Sequence, residues 1–180
     1  MLHITIPSTE QWDEAKQEFV YTKERHLQLE HSLVSLSKWE SKWGKAFLSS
    51  EDKTVEEIID YVRCMTITQN IDPDTYNYLT VENIRDVDEY INAPMTATHF
   101  YDGSSAKKSR EVITSELIYY WMIALNVPFE CQKWHLNRLL ALIRVCNIKN
   151  APPKKRNEME TRSRYAELNE ARRKKLNSKG

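Results

Sequence analysis

HSLVSLSKWESKWGKAF, residues His31–Phe47, decides the fold class. Leu33, Leu36, Trp39, Trp43 and Phe47 recur every three or four residues, the period of a helix with one apolar side. Ser32 stands where a hydroxyl accepts from an orphan amide of the first turn. Gly44 stands where a helix ends in left-handed backbone. The chain beyond repeats this pattern. Thr54-Val55-Glu56-Glu57 spells a capping box and opens a helix through Ile58, Ile59, Tyr61, Val62 and Met65. Asp72-Pro73-Asp74 starts a short helix with proline in its first turn. Thr80 opens another, with Ile84, Val87, Tyr90 and Ile91 on one face, and Pro94 ends it. Ser109 is expected to cap a long helix over 110–126. Its second half, LIYYWMIAL (Leu117–Leu125), is apolar nearly all round, which predicts burial on most sides. A last core helix is expected from Cys131 to Cys146, lined by Trp134, Leu136, Leu139, Leu140, Leu142, Ile143 and Val145.

Upstream of His31 the period changes to two. Leu2, Ile4 and Ile6 alternate with His3 and Thr5, and Pro7 stops the run. Phe19–Thr22 and Leu27–Glu30 are the other β-forming runs. Together they predict a small antiparallel sheet with a turn near Lys23–Arg25. Phe100–Ser109 reads as a loop. Ala151-Pro152-Pro153 reads as a stiff linker, followed by a tail whose composition favours helix but whose apolar stripe is thin. The expected fold is mainly α: a β element over residues 1–30, a helical core domain over 31–150, and a charged helical tail over 151–180.

Composition narrows the chemistry. The 180 residues include only three glycines, Gly44, Gly103 and Gly180, so neither a phosphate loop nor a dinucleotide turn can be written. Cys64, Cys131 and Cys146 are odd in number and widely spaced, which is no disulfide framework. The N-terminal stretch lacks a basic start and an apolar segment, and no apolar run reaches the ~18 residues of a membrane span, so a cytosolic chain is expected. The net charge of zero conceals two unlike parts. Residues 151–180 hold ten basic side chains against four acidic, or +6; the rest holds sixteen against twenty-two, or −6. Glu51–Asp102 alone carries twelve acids against three bases.

Enzyme templates fail in turn. There is no HExxH and no CxxC. Cys131 and His135, four apart, would share a helix face and suggest a metal or thiol–imidazole site, but no fourth ligand stands at a usual spacing and no oxyanion hole accompanies them. A buried cysteine and a packed histidine are the simpler reading. Glu56, Glu57 and Asp60, like Asp86, Asp88 and Glu89, read as solvated helix faces. Asp72-Pro73-Asp74 lacks the glycine and closing glutamate of a calcium loop. No catalytic, cofactor-binding or metal residues are assigned. Candidate partner-binding residues are Trp39 and Trp43, which share a face among charged neighbours, and the tail residues Lys154, Lys155, Arg156, Arg172, Arg173, Lys174 and Lys175. Core burial is the commoner fate of such tryptophans. Interleaved glutamates make the tail a better protein-docking segment than a nucleic-acid contact.

LQLEHSLVSLSKWESKW (Leu27–Trp43), PMTAT (Pro94–Thr98), the block from Ile113 to Asn150 and LNEARRKKLNSKG (Leu168–Gly180) resemble the tail assembly chaperones of long-tailed bacteriophages, particularly of actinobacterial hosts. The resemblance covers most of the chain. It implies a non-catalytic protein, without cofactor, that binds the long helical tape measure protein in the host bacterial cytoplasm. It keeps that protein soluble until the tail tube encloses it, and is absent from the mature virion. It implies, in many members, a longer form made by ribosomal frameshifting. Self-association into multimers is expected from the chain itself, because the basic tail of one copy could reach the acidic middle of the next. The alternatives are a structural protein of the virion, such as a head–tail connector or minor tail component, and an accessory factor using Lys154–Lys179 on nucleic acid.

Overall fold

The computed structural model describes residues 1–13, 17–50, 52–100, 111–152 and 158–176. The chain divides into two compact units, Met1–Ile148 and Lys149–Gly180. The first is mainly helical with a small N-terminal antiparallel β element.

Four strands, not three, make that element: β1 (Leu2–Ile6), β2 (Thr9–Asp13), β3 (Glu18–Thr22) and β4 (Arg25–Leu29). β1 pairs with β4 and β2 with β3, and both ladders share one register, from Leu2↔Leu29 to Asp13↔Glu18. They form one long hairpin interrupted at Pro7, which has no N–H to give to a ladder. The turn expected near Lys23–Arg25 is therefore the gap opposite Pro7-Ser8, and the reversal lies beyond Asp13. Ile4, Ile6, Leu27 and Leu29 are buried while their neighbours face out, as a period of two requires.

The helices begin with α1 (Leu33–Trp43) and α2 (Val55–Met65), then a 3₁₀ turn (Pro73–Tyr78) and α3 (Val81–Asn92). After them come α4 (Ser115–Ala124), a second 3₁₀ turn (Phe129–Lys133) and α5 (Leu136–Asn150). Ser32, Thr54 and Thr80 each cap reciprocally with the residue three places on, and Gly44 ends α1 at φ 62°. Two boundaries differ from expectation. Residues 111–114 are not helical, because Thr114 rather than Ser109 caps α4; Ser109 and the rest of the loop over 101–110 lie outside the described residues. Cys131 belongs to the 3₁₀ turn, and α5 starts only after His135. Cys131 and His135 thus do not share a helix face.

The core gathers Leu33, Leu36, Trp39, Tyr61, Val62, Met65, Ile118, Met122, Leu136 and Leu139 between the sheet and the helices. The segment after α2 continues the sheet: Glu30 N–H donates to Met65 O (2.9 Å) and Ile67 N–H to Gln28 O (2.8 Å). His135 and Asn137 close the end of α3. Nε2 of His135 reaches Tyr90 O at 3.0 Å, and the Asn137 amide donates to Ile91 O and Ala93 O at 2.9 and 2.8 Å. Carbonyls orphaned at a helix end are satisfied this way by side chains from the next element.

In the second unit a single helix, α6 (Glu158–Leu176), presents every described side chain from Arg162 to Leu176 to solvent.

Candidate interaction surface

Helix α4 is the most apolar in the chain, yet only one side of it is buried. Ile118 and Met122, one turn apart, are fully enclosed. Tyr120 and Ile123 point the other way and are 63% and 62% exposed. Ala124 is exposed, and Leu117, Tyr119 and Trp121 are partly covered. Phe129, 52% exposed, extends the patch; its ring lies 6.5 Å from that of Tyr119, whose hydroxyl donates to Gln132 Oε1 at 2.9 Å. The expectation of burial on most sides is corrected here: α4 packs on α1 through the side that carries Ile118 and Met122, and the apolar surplus on its other side faces out. Exposed apolar groups gathered on one helix face are the usual mark of an interaction site.

Both ends of α4 are fixed. Glu40, buried on α1, accepts from Phe47 N–H (3.0 Å) through one carboxyl oxygen and from Ser115 N–H (2.7 Å) through the other. At the far end Asn126 adopts left-handed backbone (φ 54°), and Val127 N–H returns to Met122 O at 2.8 Å while Asn126 N–H reaches Ile123 O at 3.2 Å. This Schellman closure buries Val127. The face is therefore presented on a rigid element.

The two tryptophans part company. Trp39 is fully buried among Trp43, Phe47 and Tyr61, and its indole N–H donates to Glu57 O at 2.9 Å. Its assignment as a partner contact is corrected: it is a core residue. Trp43 is half-buried and donates to Asp60 Oδ2 at 2.9 Å. The charges around them staple α1 to α2. Lys42 Nζ meets Asp60 Oδ1 at 2.6 Å, Arg63 lies 3.5 Å from the same oxygen, and Lys45 bonds Glu57. Glu57 and Asp60 are buried, not solvated as their spacing suggested. The Lys45 ammonium and the Thr54 amide hold the Glu57 carboxyl below its usual range. Burial pushes Asp60 up, but hydrogen bonds from Lys42 and Trp43 and the charges of Lys42 and Arg63 outweigh it, leaving a net downward shift. Glu56, Asp88 and Glu89 are exposed, as a solvated face requires, while Asp86 is partly covered. Of the tail candidates, Arg172, Arg173, Lys174 and Lys175 are exposed near the end of α6, with Lys174 paired to Glu170 at 2.9 Å; Lys154, Lys155 and Arg156 lie outside the described residues.

His135 is committed on both ring nitrogens. Nδ1 accepts from Asn137 N–H at 3.3 Å, so Nε2 carries the proton and donates to Tyr90 O. Its ring lies 5.1 Å from that of His31, which is buried and bonds Tyr61 Oη through Nδ1 at 2.6 Å. Burial, reinforced by the neighbouring imidazole, pushes His31 down to about 3; burial also lowers His135, partly offset by its bond to Tyr90 O and by Glu30. The unfolded chain therefore takes up these protons first. Stability is complete above the ordinary histidine value near 6.5 and falls as the pH drops toward 3. Between pH 5.5 and 4, denaturant titrations should show a loss approaching about 1.4 kcal/mol per unit from His31 alone. His31→Gln should flatten that slope; a slope unchanged by the substitution would contradict the assignment.

Among the described residues no group of three or more His, Cys, Asp or Glu is placed to hold a metal ion, and no helix is long and apolar enough to cross a membrane. Comparison of the chain with protein-family models, curated proteins and solved structures finds no match.

Proposed function

We propose that the chain is a phage tail assembly chaperone that shields apolar helical segments of the tape measure protein, without catalysis. Two things support this reading: the resemblance of the quoted stretches, and the outward face of α4. The face carries it, because a rigid helix with Tyr120 and Ile123 outermost is suited to pair with another helix through residues three and four apart. Burying a side chain of this size contributes about 1.5–3 kcal/mol. A face of this extent holds a partner reversibly, and many copies along one long chain supply the avidity until polymerising tube displaces them. On this reading the protein acts in the host cytoplasm and leaves before the virion is complete.

Tyr120→Asp and Ile123→Asp should each leave the free energy of unfolding within about 0.5 kcal/mol of the parent, since neither side chain supports the core. Capture of the tape measure protein should fall by roughly tenfold or more. Binding unchanged in both variants would remove α4 as the contact. Mass spectrometry of purified particles separates the chaperone from a structural component: the chain should be missing, and its presence at one or more copies per tail would favour the structural reading.

A further inference from the structure

Helices α2 and α3 lean on different supports: α2 packs against α1, and α3 against β1, where Asn83 donates to Thr5 O at 3.2 Å. A groove of about 440 Å³ opens between them. Its floor is the stacked pair Phe47 and Tyr61, ring centroids 3.8 Å apart, and its walls include Leu48, Ile58, Ile84 and Ile91. Leu48 is 40% exposed. Lys53 stands on one rim, its Nζ 4.5 Å over the Phe47 ring, and Asp88 on the other. The α3 helix carrying that rim holds Glu82, Asp86, Asp88 and Glu89 against Arg85 alone.

Helix α6 has the converse character. Tyr165, Leu168 and Leu176 are 61%, 48% and 74% exposed, and with Arg162 and Arg172 they recur at three- and four-residue intervals along one face. Arg172, Arg173, Lys174 and Lys175 follow one another at its end. An apolar stripe flanked by arginines fits an apolar slot whose α3 rim carries Asp88, and the basic end of α6 is opposite in sign to α3, with its four acids against one arginine.

We propose that α6 of one copy docks in the α2–α3 groove of a second copy, with Tyr165 and Leu168 over Phe47 and Tyr61 and the terminal basic cluster against the acids of α3. The charge split of the chain, +6 over residues 151–180 and −6 over the rest, makes the tail of one copy attractive to the body of another. Donor and acceptor surfaces differ, so the contact is head-to-tail and propagates from copy to copy. Neither the α4 face nor any partner held there takes part in this contact.

Sedimentation velocity of the full chain tests it. At about 50 mM salt the protein should associate with concentration, and the apparent dissociation constant should rise roughly tenfold or more by about 500 mM. Tyr165→Asp with Leu168→Asp should give a monomer, and both side chains are exposed on α6. Leu48→Asp, at the groove mouth, should do the same with an unchanged unfolding midpoint. Asp88→Lys and Arg172→Glu should each weaken association, and the two together should restore part of it. A protein monomeric at all concentrations in low salt would overturn the proposal. So would association indifferent to the α6 variants, or amide protection of α6 that persists at dilutions where only monomer sediments, which would place α6 in the groove of its own chain.

Discussion

Trp39→Ala is expected to lower the free energy of unfolding by about 4 kcal/mol, the largest effect of any single truncation here. The indole is fully buried, edge-on to Phe47 at 5.0 Å and to Tyr61 at 6.4 Å, and fills the space between α1 and α2. Removing it leaves a cavity that the flanking rings cannot close, since Phe47 and Tyr61 are already stacked on one another. It also strips Glu57 O of the indole N–H. Trp39→Phe keeps most of the volume and loses the hydrogen bond, so about half the effect should remain. Trp43→Ala, at a half-buried position, should lose only about 1–2 kcal/mol. Urea titrations with unchanged slope would read these differences directly. Equal losses at Trp39 and Trp43 would contradict the burial that separates them.

Glu40→Ala is expected to follow closely, at about 3–4 kcal/mol. Its two oxygens are the acceptors for Phe47 N–H and Ser115 N–H, and an amide left buried without a partner costs about 1–3 kcal/mol. The Ser115 amide is also the first of α4, where the helix dipole favours an acidic group. Glu40→Gln retains one acceptor but turns an NH₂ toward one of the two amides, so it should recover only part of the loss. Hydrogen exchange localises the effect: the amides of Phe47 and Ser115 should lose protection before those of α2 do. Protection spread evenly over the unit would mean that Glu40 does not tie α4 in place.

The helices were legible in the sequence because their signals are local. Ser32, Thr54 and Thr80 cap where their hydroxyls and the third residue on allow it, and Gly44 ends α1 where only left-handed backbone fits. What was not legible depends on neighbours distant in the chain. Glu57 and Asp60 look like a solvated face until α1 brings Lys42, Lys45 and Trp43 over them. β2 escaped notice because Thr9–Asp13 has little alternation, and its pairing is inherited from the register set by β1 and β4. The start of α4 differs from the expected one because the β-branched run Val112–Thr114 lies outside the helix, which Thr114 caps. Its outward face was hidden by its own composition: in a segment apolar all round, the inward pair Ile118 and Met122 cannot be told from Tyr120 and Ile123 without knowing what packs there. The tail candidates rest on charge alone, and charge says where a partner is attracted, not which one.

On the function proposed above, this chain protects another protein's apolar helices. Co-expression with a candidate tape measure protein, scoring the soluble fraction of that protein with and without this chain, tests it most directly. The expected result is a tape measure protein that is mostly insoluble alone, becomes soluble with the parent chain, and reverts when Tyr120 and Ile123 are both aspartate. A tape measure protein whose solubility is the same in all three cases would contradict it.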